Sequence, residues 1–173
     1  MKKFVLALGL ALCVSSGASA ATGGECYTAK EFEAEQGIRI HSELMVIGLT
    51  CMKMPHGPQM YMKYKDFTEK NKKLIAQYEN EIISHYRREG AEKPEKKLHT
   101  LRTTLANQIS QRAVTMSVSS FCQRFSPRID QALAMDKEKL RRWAQQPWTG
   151  SPTSRPICDS RSAGIGKTTV SQK

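Results

Sequence analysis

The residues whose types could bind a metal ion lie together in one short segment, residues 51–62. The thioether and imidazole groups of this segment belong to Met52, Met54, His56, Met60 and Met62. Thioether sulfur and imidazole nitrogen select cuprous ions over harder cations, so the segment is a candidate copper site. Methionine also fills irregular gaps at helix ends because it is flexible and apolar, and this is its more common role. Copper binding and core packing are therefore the two interpretations of this segment.

A second set of side chains could carry acid–base chemistry. Glu35 and His41 are the candidates for hydrolysis of an envelope polymer, but no nucleophile or second acid stands at a recognisable spacing from them. A buried polar group needs a hydrogen-bond partner, so we expect His41 to pair with a carboxylate such as Glu35 or with a tyrosine phenol. The helix start is acidic through Glu31, Glu33 and Glu35, which favours the positive end of the helix dipole. A structural polar network is the simpler interpretation, and its other expected members are Tyr78, His85, Tyr86 and His99.

The chain carries a net charge of +11, and part of this excess is concentrated in two groups of basic residues. The first group lies at the turn between the second and third predicted helices and consists of Arg87, Arg88, Lys93, Lys96, Lys97 and Arg102. The second group lies on the fourth predicted helix and consists of Lys137, Lys139, Arg141 and Arg142. Such surfaces attract anionic partners, with an affinity that falls as the salt concentration rises. The alternative is a solvated face that keeps the protein soluble.

The first 20 residues have the three parts of a secretory signal peptide. Lys2 and Lys3 form the positive start, residues 4–14 the apolar run, and residues 18–20 a small-residue cleavage site. Cleavage at this site would remove Cys13 and deliver the chain to the periplasm or the medium, where disulfides persist. No later run reaches the ~18 apolar residues of a spanning helix, so we expect no transmembrane anchor. Outside the cytoplasm, nucleic acid is not an expected partner.

Hydrophobic periodicity and helix-end signals predict four helices in the rest of the chain. Their expected bounds are about 28–51, 60–89, 94–121 and 126–146. Thr28 and Glu31 form a capping box at the start of the first helix. Residues 44–49 are apolar on every side, so they are expected to be the most buried part of that helix.

Short connections between long amphipathic helices favour antiparallel neighbours. The predicted fold is therefore all-α, an up-down-up-down four-helix bundle over residues 21–146 that is stapled by disulfides. Residues 147–173 are rich in Ser, Thr, Gly and Pro, a composition typical of a mobile tail. This tail is expected to be tethered through Cys158.

Four cysteines remain after the predicted cleavage, and they allow three complete pairings. Cys26 and Cys51 bracket the first helix, and about 24 helical residues span roughly 36 Å. A disulfide needs α-carbons within about 7 Å, so these two cannot pair. The predicted topology brings Cys51 to the same end of the bundle as Cys122, and Cys26 to the same end as Cys158. We therefore predict the pairs Cys51–Cys122 and Cys26–Cys158.

These patterns predict an exported, non-enzymatic interaction protein of the bacterial cell envelope. It would bind an envelope protein or an anionic envelope component through a helical face or a basic patch. The alternatives are a periplasmic copper-binding protein that uses the Met/His segment, and an envelope-polymer hydrolase that uses Glu35 and His41. No cofactor is expected apart from copper in the first alternative, and the oligomeric state is left open.

Overall fold

The computed structural model of the chain describes residues 26–55, 57–148 and 150–158. The described residues form six α-helices and one 3₁₀ turn: α1 (Ala29–Thr50), the 3₁₀ turn (Cys51–Lys53), α2 (Gly57–Arg88), α3 (Pro94–Met116), α4 (Val118–Phe125), α5 (Pro127–Ala134) and α6 (Lys137–Ala144). Within these residues there is no β-strand, and a single isolated bridge joins Tyr27 to Ile157. The prediction of a helical fold is confirmed. The predicted signal peptide lies outside the described residues.

Helix α1 is the centre of the molecule, in contact with α2, α3 and α6. Its predicted start is confirmed, because the Thr28 amide donates to Glu31 Oε2 at 2.6 Å and the Glu31 amide donates to Thr28 Oγ1 at 3.3 Å. The prediction that residues 44–49 are the most buried part of this helix is wrong. Leu49 is 48% exposed, whereas the polar N-terminal half of α1 is as buried as the apolar half, since later elements cover it.

Helices α2 and α3 pack against α1 through the apolar stripes that periodicity predicts, which include Phe67, Ile82 and Leu105. Helix α2 begins at Gly57, earlier than predicted. A β-carbon at this position would lie 2.2 Å from the Cys51 carbonyl oxygen, so only glycine fits the turn. The helix ends as predicted before Gly90, whose φ of 77° lies in the left-handed region.

The last part of the helical domain contains more and shorter helices than predicted. The expected third helix stops at Met116, because Ser117 adopts a φ of 72° and its Oγ accepts from the Ser120 amide to start α4. The expected fourth helix is interrupted after Ala134. There Asp136 caps α6 by accepting from the Lys139 amide at 2.7 Å, a side-chain bond that competes with helix continuation.

Both predicted disulfides are present. Cys26 pairs with Cys158 at a Cα–Cα distance of 5.0 Å, and Cys51 pairs with Cys122 at 5.6 Å. The two bonds lie at opposite ends of α1, since Cys26 precedes this helix and Cys51 follows it.

Residues 150–158, here called the C-terminal strap, do not form the loose tail that composition predicts. The Tyr27 amide donates to the Pro156 carbonyl at 2.7 Å, and the Cys158 amide donates to the Tyr27 carbonyl at 2.8 Å. These backbone bonds and the adjacent disulfide hold residues 156–158 of the strap beside the start of α1. Residues 159–173 of the predicted tail lie outside the described residues. Among the described helices, none is both long and apolar enough to cross a membrane.

Candidate functional site

Helix α1 carries an unusual number of buried polar side chains. They are Glu31, Glu33, Glu35, Gln36, Arg39, His41, Ser42 and Glu43. A charge buried without a partner is strongly unfavourable, so each must be matched by groups from other elements. The sequence suggested a helix-dipole role for the three N-terminal acids, whereas the structure shows that each contacts another element: Glu31 contacts α2, Glu33 contacts α6 and Glu35 contacts the C-terminal strap.

The first acid of α1, Glu31, belongs to a chain of ionisable groups at the N-terminal end. Its Oε1 lies 2.9 Å from His85 Nδ1 and also contacts the Arg88 guanidinium. His85 Nε2 lies 3.2 Å from Glu89 Oε1, and Arg155 of the strap contacts the same oxygen at 3.0 Å. Burial raises the pKa of Glu31, but hydrogen bonds from Thr28 and His85 outweigh burial and hold the pKa below its usual range. Of the four residues predicted to form a polar cluster, His85 lies in this chain of groups, whereas Tyr78 bonds to Glu33 instead.

Tyr86, a neighbour of His85, completes this cluster, with the two rings 5.7 Å apart. His99, also predicted as a member, is exposed and does not belong to it. Tyr27 adds a contact that the sequence did not indicate, because its ring packs edge-on against His85 at 4.8 Å.

The second acid, Glu33, connects α1 to α2 and α6. Its carboxylate accepts from Tyr78 Oη at 3.1 Å, from Arg141 Nε at 2.7 Å and from Gln145 Nε2 at 2.7 Å. Burial raises the pKa of Glu33, but the hydrogen bonds from Arg141 and Gln145 lower it by more than burial raises it, so the net shift is downward. A cleft of about 370 Å³ runs beside these groups, but the charged pair Glu33–Arg141 in its wall is already satisfied internally.

Glu35 and His41, the candidates for hydrolysis, are not brought together as a catalytic pair. Glu35 accepts from the Ser154 amide at 2.8 Å and lies 3.5 Å from Arg39. His41 Nε2 instead lies 3.3 Å from Tyr64 Oη and 3.3 Å from a threonine hydroxyl on α2. Of the two pairings expected for His41, the phenol is the one present. The hydrolase interpretation therefore has no geometric support among these contacts.

The His41 environment predicts a specific pH dependence of stability. Burial, and secondarily the charge of Arg102, lowers the pKa of His41 from its ordinary value of 6.5 to about 4. Protonation is therefore easier in the unfolded chain, so stability is full above about pH 6.5 and is lost as the pH falls towards 4. Denaturant unfolding at a series of pH values should show this decline. Between pH 6.5 and 4.5, the free energy of unfolding should fall less steeply with decreasing pH in a His41→Gln variant than in the unchanged chain. An equal slope in both proteins would assign the decline to other groups.

The Met/His segment places its side chains unevenly. Met52 and Met62 are 41% and 51% exposed, whereas Met54 and Met60 pack partly buried against the core. His56 lies outside the described residues. Among the residues that are described, no group of three or more His, Cys, Asp or Glu side chains is arranged to hold a metal ion. Copper binding by this segment stays a prediction.

The predicted basic patch at the α2–α3 turn separates into paired and unpaired cations. Its three arginines contact carboxylates: Arg87 contacts Glu95 at 3.4 Å, Arg88 contacts Glu31, and Arg102 contacts Glu79 at 2.7 Å. Its three lysines, Lys93, Lys96 and Lys97, surround the first turn of α3 and are exposed. We call these three residues the lysine face. In the second group, Arg141 is tied to Glu33 and Lys139 contacts Asp136 at 3.4 Å.

A pocket of about 280 Å³ lies beside the C-terminal half of α1, at Glu43. We call it the arginine–tryptophan pocket, and its principal residues are Glu43, Arg112, Arg128, Trp143, Trp148 and Ser151. Arg128 Nη2 lies 2.8 Å from Glu43 Oε2, and the Arg128 guanidinium lies 5.1 Å and 4.9 Å from the ring centres of Trp143 and Trp148. Burial raises the pKa of Glu43, while the nearby Arg128 and Arg112 charges oppose that rise.

Sequence reasoning missed the arginine–tryptophan pocket, because its residues come from four separate parts of the chain. The one local signal was the pair of tryptophans, Trp143 and Trp148, whose rings stack at 5.7 Å with an interplanar angle of 24°. Comparison of the chain with models of protein families, with curated proteins and with solved structures gives no match. Its function is therefore inferred from its own side chains.

Proposed function

We propose that this chain is an exported, non-enzymatic binding protein of the bacterial cell envelope that docks on an anionic envelope component through the lysine face. One observation carries the proposal. Lys93, Lys96 and Lys97 are exposed on one helical turn, and no carboxylate of the described residues lies within ion-pair distance of them. Cations that are not neutralised within the protein remain available to an anionic partner.

The chemistry of lysine supports a diffuse anionic surface as the partner. Its ammonium is a flexible point charge, whereas planar recognition of a single anion favours arginine. Each lysine near an anionic lipid surface contributes about 1 kcal/mol, so the lysine face would contribute about 3 kcal/mol in all. Without Lys2 and Lys3 the net charge falls from +11 to +9, which still adds long-range attraction of the same sign.

Two further elements belong to the same proposal. Residues 1–20 act as the export signal, which places the mature chain in the periplasm or the medium. Helices α1, α2 and α3, with α4–α6 as the fourth segment, form an up-down-up-down arrangement.

Vesicle binding tests the proposal directly. The chain from residue 21 onward should bind vesicles that contain an anionic phospholipid and not vesicles of neutral lipid alone. A variant with Lys93→Glu, Lys96→Glu and Lys97→Glu should bind at least about 100-fold more weakly, since about 3 kcal/mol is lost. Binding of the unchanged chain should also fall steeply as salt is added.

A matched variant separates the lysine face from net charge. Lys53→Glu, Lys65→Glu and Lys73→Glu change the charge equally at three exposed lysines on other parts of the surface. This control should lose much less affinity for anionic vesicles. Equal losses in the two variants, or no binding to anionic vesicles at low salt, would contradict docking through the lysine face.

A further inference from the structure

A groove of about 350 Å³ is lined by residues of α5 and α6. We call it the tryptophan groove. Four of its six lining residues are exposed and the other two are half-buried, so a ligand can reach their side chains. The volume falls in the range of sites for small molecules. The lining residues are Gln131, Met135, Lys139, Arg142, Trp143 and Gln146.

Helix α6 presents its share of the groove as one face. Lys139, Arg142 and Trp143 are spaced by three and four residues, so they are neighbours on the surface of this helix. A second face of α6 carries Leu140 and Ala144, which are buried and hold the helix against the core. The groove face of α6 is therefore fixed in position.

The α5 side of the groove is also held in place. Gln131 lies in α5, and Met135 directly follows that helix. Lys70 of α2 donates to the carbonyl oxygens of Leu133 and Met135 at 2.7 Å and 2.9 Å. These two bonds fix the connection between α5 and α6. A site whose walls are already ordered loses less conformational entropy when a ligand binds.

Trp143 gives the groove an apolar floor. Its ring stacks on Trp148 at 5.7 Å and lies 5.1 Å from the Arg128 guanidinium, both in the arginine–tryptophan pocket. Trp143 also lines the groove, so part of the indole is open on that side. The half-buried Met135 is a second apolar group in the groove. Indole and thioether surfaces favour a ligand that presents an apolar C–H face.

Two carboxamides of the groove have no partner within the part of the chain that the structure describes. The Gln131 side chain forms no hydrogen bond there, and Gln146 is bonded through its backbone carbonyl, which accepts from Gln36 at 3.3 Å. Each carboxamide offers two donors and one acceptor. A hydroxyl is likewise both donor and acceptor, so the two glutamines suit a ligand with several hydroxyl groups.

Arg142 is the available cation of the groove. Among residues 26–55, 57–148 and 150–158, no carboxylate lies within ion-pair distance of it, and Asp136 contacts Lys139 at 3.4 Å instead. Guanidinium is planar and presents paired N–H donors that match the two oxygens of a carboxylate. Arg142 therefore favours a ligand that carries a carboxylate.

We propose that the tryptophan groove binds a pyranose sugar that carries a carboxylate, such as a uronic acid unit of a polysaccharide. The C–H face of the sugar ring rests on Trp143, its hydroxyls bond to Gln131 and Gln146, and its carboxylate accepts from Arg142. The groove has no residue in common with the lysine face, so this site does not depend on docking through that face.

Calorimetric titration of the protein with four probes tests the ligand class. Glucuronate should bind saturably. Glucose, which has a similar ring without the carboxylate, should bind about 10- to 100-fold more weakly, because the hydrogen bonds to a charged group are missing. Acetate and inorganic phosphate, which lack the ring, should also bind more weakly than glucuronate. Equal binding of glucuronate and glucose, equal or tighter binding of acetate or phosphate, or no saturable binding of glucuronate would overturn the proposal.

Two arginine variants locate the carboxylate. Arg142→Gln should weaken binding of glucuronate about 10- to 100-fold and leave binding of glucose unchanged. Arg124→Gln, at an exposed arginine outside the groove, is the charge-matched control and should change neither affinity. Equal losses of glucuronate affinity in the two variants would show a general charge effect and would contradict a site at Arg142.

Fluorescence tests the contact with the indole. The chain has two tryptophans, Trp143 and Trp148, so a change in emission on addition of glucuronate reports on this region. The change should persist in Trp148→Phe, where Trp143 remains, and should disappear in Trp143→Phe. Persistence of the change in Trp143→Phe would contradict stacking of the sugar on Trp143.

Two further measurements keep these results interpretable. Thermal unfolding identifies any variant that no longer folds. Arg142 is exposed, so Arg142→Gln still tests the site if Trp143→Phe is unstable. Binding to anionic vesicles should be no weaker in Arg142→Gln than in Arg124→Gln, which separates the groove from the lysine face. Weaker vesicle binding in Arg142→Gln would assign Arg142 to lipid docking and would contradict the sugar site.

Discussion

Replacement of both Cys51 and Cys122 by alanine is expected to lower the free energy of unfolding by about 4 kcal/mol. The bond closes a loop of 71 residues, and the chain-entropy model gives about that value for a loop of this length. Both cysteines are buried, so the lost sulfur contacts add to the loss. The measurement is denaturant unfolding of the oxidised proteins. A direct comparison requires that the free energy of unfolding depends equally steeply on denaturant concentration in both proteins.

The double variant is preferable to a single one, because a lone thiol could form a wrong disulfide with Cys26 or Cys158. The matched control is Cys26→Ala with Cys158→Ala, whose loop of 132 residues gives about 5 kcal/mol in the same model. A loss below about 1 kcal/mol for the Cys51 and Cys122 variant would show that chain entropy does not govern the stability of this fold.

Gly37→Ala should destabilise the protein by about 1–3 kcal/mol, the usual result of overpacking a core. A β-carbon at position 37 would lie 2.2 Å from Cε2 and 2.3 Å from Cδ2 of Tyr78. The Tyr78 ring cannot move away freely, because it is buried and its hydroxyl donates to Glu33 at 3.1 Å. At an open helical position the same change would stabilise by up to about 1 kcal/mol, so the sign of the effect is diagnostic.

A double-mutant cycle separates the clash from other effects of the alanine. In a Tyr78→Leu background the ring is absent, so Gly37→Ala should cost much less than it does in the unchanged chain. Gly48→Ala is a second comparison, since its nearest neighbour, Tyr64 Cβ, would be 3.3 Å away, which is less severe. An equal cost of Gly37→Ala in both backgrounds would mean that Tyr78 is not responsible.

The parts of the fold that the sequence predicts are those governed by local chemistry and by length. The capping box at Thr28 depends on residues three apart, and the helix stop at Gly90 depends on one residue, so both could be predicted. The length of α1 excluded one of the three cysteine pairings, and the predicted antiparallel order of the helices decided between the other two. The break at Ser117 was missed because a non-glycine residue with positive φ leaves no compositional signal.

The candidate sites also differ in whether local sequence could predict them. The lysine face is a local cluster, and its residues were predicted, although three neighbouring arginines proved to be paired with glutamates. The arginine–tryptophan pocket was not predicted, because Glu43 and Arg128 meet only after the whole domain folds. Hydrophobic periodicity locates apolar faces and carries no information about which distant charge will neutralise a buried one.

The buried charged residues of α1 take their partners from the end of the chain. Glu33, Glu35 and Arg39 bond to Arg141, Ser154 and Pro152, which lie 108, 119 and 113 residues further along the chain. During synthesis α1 emerges first and these partners emerge last, so its charges stay hydrated until the chain is nearly complete. Contacts this distant in sequence also form slowly. The charges of α1 therefore gain these partners only at the end of synthesis, a delay that suits the export that we propose.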